Sequence, residues 1–193
     1  MTMQLNMAML RREGCRRDID MTWLRNRARI YPIFVAGICC NLSFGSLSAA
    51  PTDSPFRSGL SAYNSGDFQR AMQIWLPLAE HEDAPSQAGL GFMYYRGLGT
   101  VVDNQKAAFW LRKAAEHGQP EGQFMLGTLY FYGRGVPQSY IQAYAWCDLA
   151  QDSGDADASM CRDSSLQSLP SNDDLQNAFR LSQDFHHRFG GQH

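Results

Sequence analysis

Leu90-Gly91-Phe92-Met93-Tyr94-Tyr95-Arg96-Gly97-Leu98-Gly99 returns downstream as Leu126-Gly127-Thr128-Leu129-Tyr130-Phe131-Tyr132-Gly133-Arg134-Gly135, displaced by 36 residues. Two further landmarks keep the same displacement: Ala107 with Trp110 becomes Ala143 with Trp146, and Gly118 becomes Gly154. Self-similarity at one fixed period marks a repeat architecture, in which each unit is a supersecondary element that cannot bury its apolar face alone. An earlier and shorter copy is present. Gly59, Ala71 and Ala79-Glu80-His81 align with Gly91, Ala107 and Ala115-Glu116-His117, and Gly66-Asp67 alone makes the turn between its halves.

Within a unit the apolar residues follow a helical period. Leu90, Met93, Tyr94 and Leu98 recur at three- and four-residue spacing, as do Ala107, Trp110, Leu111, Ala114 and Ala115. Gly97 and Gly99 end the first helix, and Asp103 or Asn104 caps the second. Gly91, Gly127, Ala107 and Ala143 are small enough for two helices to approach closely. The expected fold class is all-α, a short solenoid of helix pairs. Past Asp155 the Leu-Gly pair is replaced by Arg162-Asp163, and Ser171-Asn172 starts a last helix with Leu175, Ala178, Phe179, Ser182 and Phe185 on one face. A terminal pair with a polar outer side is what a repeat stack requires as a cap.

The chain has 193 residues, and its charge is unevenly placed. Residues 1–50 hold seven Arg, no Lys and three acids; residues 51–193 hold ten Lys+Arg against sixteen Asp+Glu. The basic part reads as a secretory signal: Arg25, Arg27 and Arg29 precede an apolar stretch from Ile30 to Phe44, followed by the small residues Ser46, Ser48, Ala49 and Ala50. Cleavage is expected near Ala49 or Ala50, with Met21 or Met1 as the start. A periplasmic or secreted location follows, with no stable membrane span after cleavage. The expected division is residues 1–50 for the extension and signal, 51–55 for a linker, 56–188 for the repeat domain and 189–193 for a tail. Units are expected at 56–83, 84–119 and 120–155, with a capping pair at 156–188. An acidic mature chain disfavours nucleic acid as a partner.

The residue types offer no catalytic constellation. His81 and His117 are repeat equivalents, and His186-His187 point apart on a helix, so neither metal nor cofactor is expected. Gly97-Leu98-Gly99 and Gly133-Arg134-Gly135 lack the strand and the Lys-Ser/Thr of a phosphate loop. Cys147 and Cys161 flank the turn near Gly154. They are either a disulfide or two small buried hydrophobes, and the alignment of Cys161 with Met125 leaves its direction open.

Leu-Gly-x-x-Tyr, then Gly-x-Gly-Val, then Gln-Ala-x-x-Trp and Ala-x-x-x-Gly resemble the Sel-one-like repeat, a relative of the tetratricopeptide repeat. Residues 133–150 carry the resemblance most fully. It implies a right-handed α/α superhelix whose first helices line a concave face, and an exported, non-enzymatic adaptor or scaffold that binds a protein or peptide there. Some members act as immunity proteins or inhibitors of secreted effectors. A cysteine-rich branch is linked to β-lactam or cell-wall chemistry, and this chain departs from its cysteine spacing. By analogy with tetratricopeptide geometry, Tyr63, Phe92, Tyr95, Arg96, Thr128, Phe131 and Tyr132 are expected to face a partner.

Overall fold

A computed structural model describes residues 54–152 and 156–190. The chain divides into two units, Met1–Ser48 and Ala49–His193, and every described helix lies in the second. The expected signal segment, its start and its cleavage site lie outside the described residues. So does Gly154.

Eight helices and no strand are present among the described residues. They are α1 (Pro55–Asn64), α2 (Phe68–Glu80), α3 (Ala84–Arg96), α4 (Asn104–Glu116), α5 (Pro120–Tyr132), α6 (Tyr140–Gln151), α7 (Ala156–Gln167) and α8 (Asn172–Phe189). None is long and apolar enough to cross a membrane. From α1 to α7 each helix packs on the next.

The 36-residue period is written into the helix ends. Asp67, Asp103 and Ser139 cap α2, α4 and α6, each accepting a hydrogen bond from a first-turn backbone N–H. The N–H groups of Lys106 and Gln105 hold the Asp103 carboxyl below the usual carboxylate range, Lys106 contributing most. Gly97 and Gly133 end α3 and α5 with φ of 69° and 66°. The carbonyls of Met93 and Leu129 then accept the N–H of Leu98 at 2.9 Å and of Arg134 at 3.0 Å. A Cβ on Gly99 would lie 2.8 Å from the Phe68 carbonyl carbon, and one on Gly135 would strike Asn104, so each loop rests on the start of the preceding unit's second helix.

Packing between helices is equally periodic. A Cβ on Gly91 would lie 2.5 Å from Leu111 Cγ, and one on Gly127 would strike Cys147 Sγ. Gln87 Nε2 donates to Ala79 O at 2.9 Å, and Gln123 Nε2 donates to Ala115 O at 3.2 Å, both buried. These glutamines satisfy carbonyls that the ends of α2 and α4 leave without an intrahelical partner. His117 Nδ1 donates to Gln87 Oε1 at 3.0 Å and extends the first of these links to the end of α4.

The C-terminal region departs from the expected capping pair. Both α7 and α8 pack on α6, and α8 makes its main contact there rather than with α7. Arg162-Asp163 removes the close-packing Leu-Gly surface from α7, which buries only Ala158, Cys161 and Ser165. Trp146 of α6 instead receives Phe185 and Phe189 of α8, with ring centroids 4.2 and 5.5 Å away. Phe179 lies edge-on to Tyr144 at 5.5 Å and stays exposed.

Cys147 and Cys161 form a disulfide between α6 and α7, with Cα atoms 5.8 Å apart. Cys161 therefore points at α6 and not aside.

Candidate interaction face

The C-terminal ends of α3 and α5 lie in equivalent places of consecutive units, and each carries a pair of large side chains: Tyr95 with Arg96, and Phe131 with Tyr132. Arg96 and Tyr132 are exposed, whereas Tyr95 and Phe131 are half-buried. Phe131 is fixed between Tyr132 at 5.1 Å and Tyr140 at 5.4 Å, and its carbonyl accepts Gln138 Nε2 at 2.8 Å. Thr128, also half-buried, donates its hydroxyl to Phe124 O at 3.0 Å.

One expected residue, Phe92, belongs elsewhere, and Tyr63 stands among the aromatic side chains of the first unit. Phe92 is 6 % exposed and is part of the core, which corrects the expectation that it faces a partner. Tyr63 is half-buried, with ring centroids 5.4 Å from Phe68, 5.9 Å from Trp75 and 6.5 Å from Phe92. Burial raises its phenol pKa, and the positive charge of Arg96 opposes the rise. Trp75, against which Tyr63 stacks, sits where later units have Leu111 and Cys147.

One residue joins the face without having been singled out as a site. Arg134 Nη1 donates to the Tyr95 hydroxyl at 2.7 Å. Its guanidinium carbon lies 5.3 Å from the Tyr132 ring centroid and 5.8 Å from that of Tyr95. The signal was present in the repeat alignment, because Arg134 replaces Leu98 at an otherwise matching turn.

A second polar cluster lies between α6 and α8, beside a cavity of about 540 Å³ lined in part by Tyr144, Asp148, Phe179 and His186. Asp148 Oδ2 accepts the Ser182 hydroxyl and lies 3.2 Å from His186 Nε2, while His186 Nδ1 is 3.2 Å from Asp152. Arg162 stands 3.9 Å from Asp148 Oδ1. Burial, then the Asp148 charge, raises the Tyr144 phenol pKa. Serine, histidine and aspartate are all present, but Ser182 gives its proton to the carboxylate and not to the imidazole. The arrangement is not that of a nucleophile paired with its base. It ties α8 to α6. Among the described residues no group of three or more His, Cys, Asp or Glu is placed to hold a metal ion.

Residues 84–119 and 120–155 each match the family model for the Sel1 repeat. The chain is similar to a solved protective antigen of uropathogenic Escherichia coli that displays an SLR fold, at 29% identity and a TM-score of 0.67. That likeness covers 72% of this chain and 31% of the other. It is also similar to a Sel1 repeat protein from Oxalobacter formigenes, at 25% identity and a TM-score of 0.55, over 67% of this chain and 55% of that one. The chain thus spans only about a third to a half of the length of these solved relatives. No curated protein matches it.

Proposed function

Since its two central units are Sel1 repeats, which generally serve as protein-interaction scaffolds, we propose that this chain is an exported, non-enzymatic interaction module. It binds a protein or peptide on the face formed by its first helices. The observation that carries this reading is the cluster of Tyr95, Arg96, Phe131 and Tyr132 at the ends of α3 and α5. Tyrosine and arginine are the side chains that most often anchor interfaces, because they offer large contact area with a polar tip. Export is supported by the basic, apolar and small-residue order of residues 21–50, and by the pairing of Cys147 with Cys161, since disulfides persist in oxidising compartments.

Site-specific photo-crosslinking tests the binding. A crosslinker in place of Tyr132 yields a discrete protein adduct in cells, and one in place of the exposed Phe109 on α4 does not. Equal adducts at both sites, or none at either, contradict the reading. Export is tested by fractionation together with thiol alkylation. The whole chain recovered in the cytoplasm with both cysteines reduced refutes that part.

A further inference from the structure

The two Gly-x-Gly loops share one backbone and differ in what the middle residue does. Leu98 turns inward and packs against the core of the first unit. Arg134, in the same backbone position, remains exposed and is held by Tyr95 from the preceding unit and Tyr132 from its own. The loop therefore does not need an arginine for its fold. The preceding unit makes the same turn with an apolar residue. Tyr95 also departs from its equivalent, Phe131, by the hydroxyl that receives Arg134.

The guanidinium carbon lies 5.8 and 5.3 Å from the ring centroids of Tyr95 and Tyr132, and the group carries five in-plane N–H donors. Only one of them is given to Tyr95. Neither Arg134 nor Arg96 forms an ion pair among the described residues. The surrounding charge is unlike the rest of the mature chain. Residues 84–140 carry five Lys+Arg against three Asp+Glu, whereas residues 141–190 carry three against eight.

We infer that Arg134, fixed between Tyr95 and Tyr132, anchors a carboxylate side chain of an acidic protein segment lying across the ends of α3 and α5. The inference rests on the interaction-module reading and names the chemistry of the partner. A planar guanidinium that gives a single N–H to Tyr95 keeps donors to match a carboxylate bidentately, and the oriented fork loses less entropy on binding than a freely rotating lysine. The flanking tyrosine rings favour apolar residues next to the acid, so the expected segment mixes Asp or Glu with apolar side chains.

The test is to select peptides from a phage-displayed random library on the full chain, then to measure the recovered peptides in solution. The expected peptides are enriched in Asp and Glu beside apolar residues, and added salt weakens their binding. Arg134→Leu restores the residue of the preceding unit, so thermal unfolding stays unchanged while affinity falls about tenfold or more, the loss expected of an interface anchor. Changing the peptide acids to Asn and Gln produces the same fall, and Arg134→Lys, which keeps the charge without the fork, falls between. Failure to recover acidic peptides, or equal binding by Arg134→Leu, overturns the inference. It is also overturned if sedimentation shows a dimer that Arg134→Leu dissolves, because a second copy's acidic end then occupies the site. A crosslinked partner at Tyr132 that Arg134→Leu still captures overturns the carboxylate anchor and leaves the interaction reading intact.

Discussion

Trp75, Leu111 and Cys147 occupy one position of the repeat, and the residue across from each compensates for its size. Trp75 is held between Gly59 and Gly89, whose added Cβ atoms would both strike the indole, and its Nε1 donates to Phe56 O at 3.2 Å. Met125 stands at the position of Gly89 in the next unit, and Cys161 one unit further on. The small glycine on each first helix is therefore fixed by a specific neighbour. Gly127→Val drives two methyl groups against Cys147 and should destabilise the fold by about 1–3 kcal/mol, the usual cost of overpacking. Urea unfolding measures it. The same reasoning separates the aromatic residues. Phe92→Ala empties a buried site and should cost about 3–5 kcal/mol. Tyr95→Phe removes only a hydroxyl that serves Arg134 and should stay within about 0.5 kcal/mol. If Phe92→Ala unfolds at the wild-type denaturant concentration, Phe92 is not part of the core.

At the scale of the element, α7 is the weakest helix of the stack by its sequence. It has no Leu-Gly pair, and it keeps its place through Cys161. The bridge to Cys147 closes a separation of 14 residues, for which the loss of unfolded-state entropy gives about 3 kcal/mol. Reduction should lower the urea midpoint accordingly, and amide exchange should accelerate first in α7. Faster exchange in α1 or α2 instead would place the effect elsewhere. The helix is also recognisable as a first helix only by its spacing. Arg162-Asp163 stands where Leu-Gly is expected, and that substitution made the departure legible in the sequence while saying nothing about where α8 would go. The position of α8 depends on Trp146, which accepts Phe185 and Phe189, and on Asp148, which accepts Ser182 and faces His186. These partners are 34 to 43 residues apart in sequence and share no local pattern that a periodicity reveals.

For the solenoid as a whole, α8 is the element that closes one end. Removing residues 172–193 exposes Trp146 and leaves Asp148 without Ser182 and His186. The truncated chain should show a red-shifted tryptophan emission and concentration-dependent aggregation, since an uncapped repeat presents its apolar face to water. Unchanged emission and a monomeric truncated chain would show that α6 does not depend on that cover.

The period, the helix caps and the close-packed glycines were determined by the sequence alone, because each depends on residues a few positions apart or on exact recurrence at 36. The resemblance to the tetratricopeptide repeat, not the recurrence, marked the ends of α3 and α5 as candidate interaction positions. It did not separate Tyr95, Arg96 and Tyr132, which keep surface there, from Phe92, which is buried in the core. Only the tertiary structure decided that, along with the pairing of Cys161 with Cys147, the seat of α8 on α6 and the clamping of Arg134 by tyrosines of two units. The physical reason is common to all four. Each is settled by which side chain fills the space opposite, and that space is bounded by residues distant in the chain.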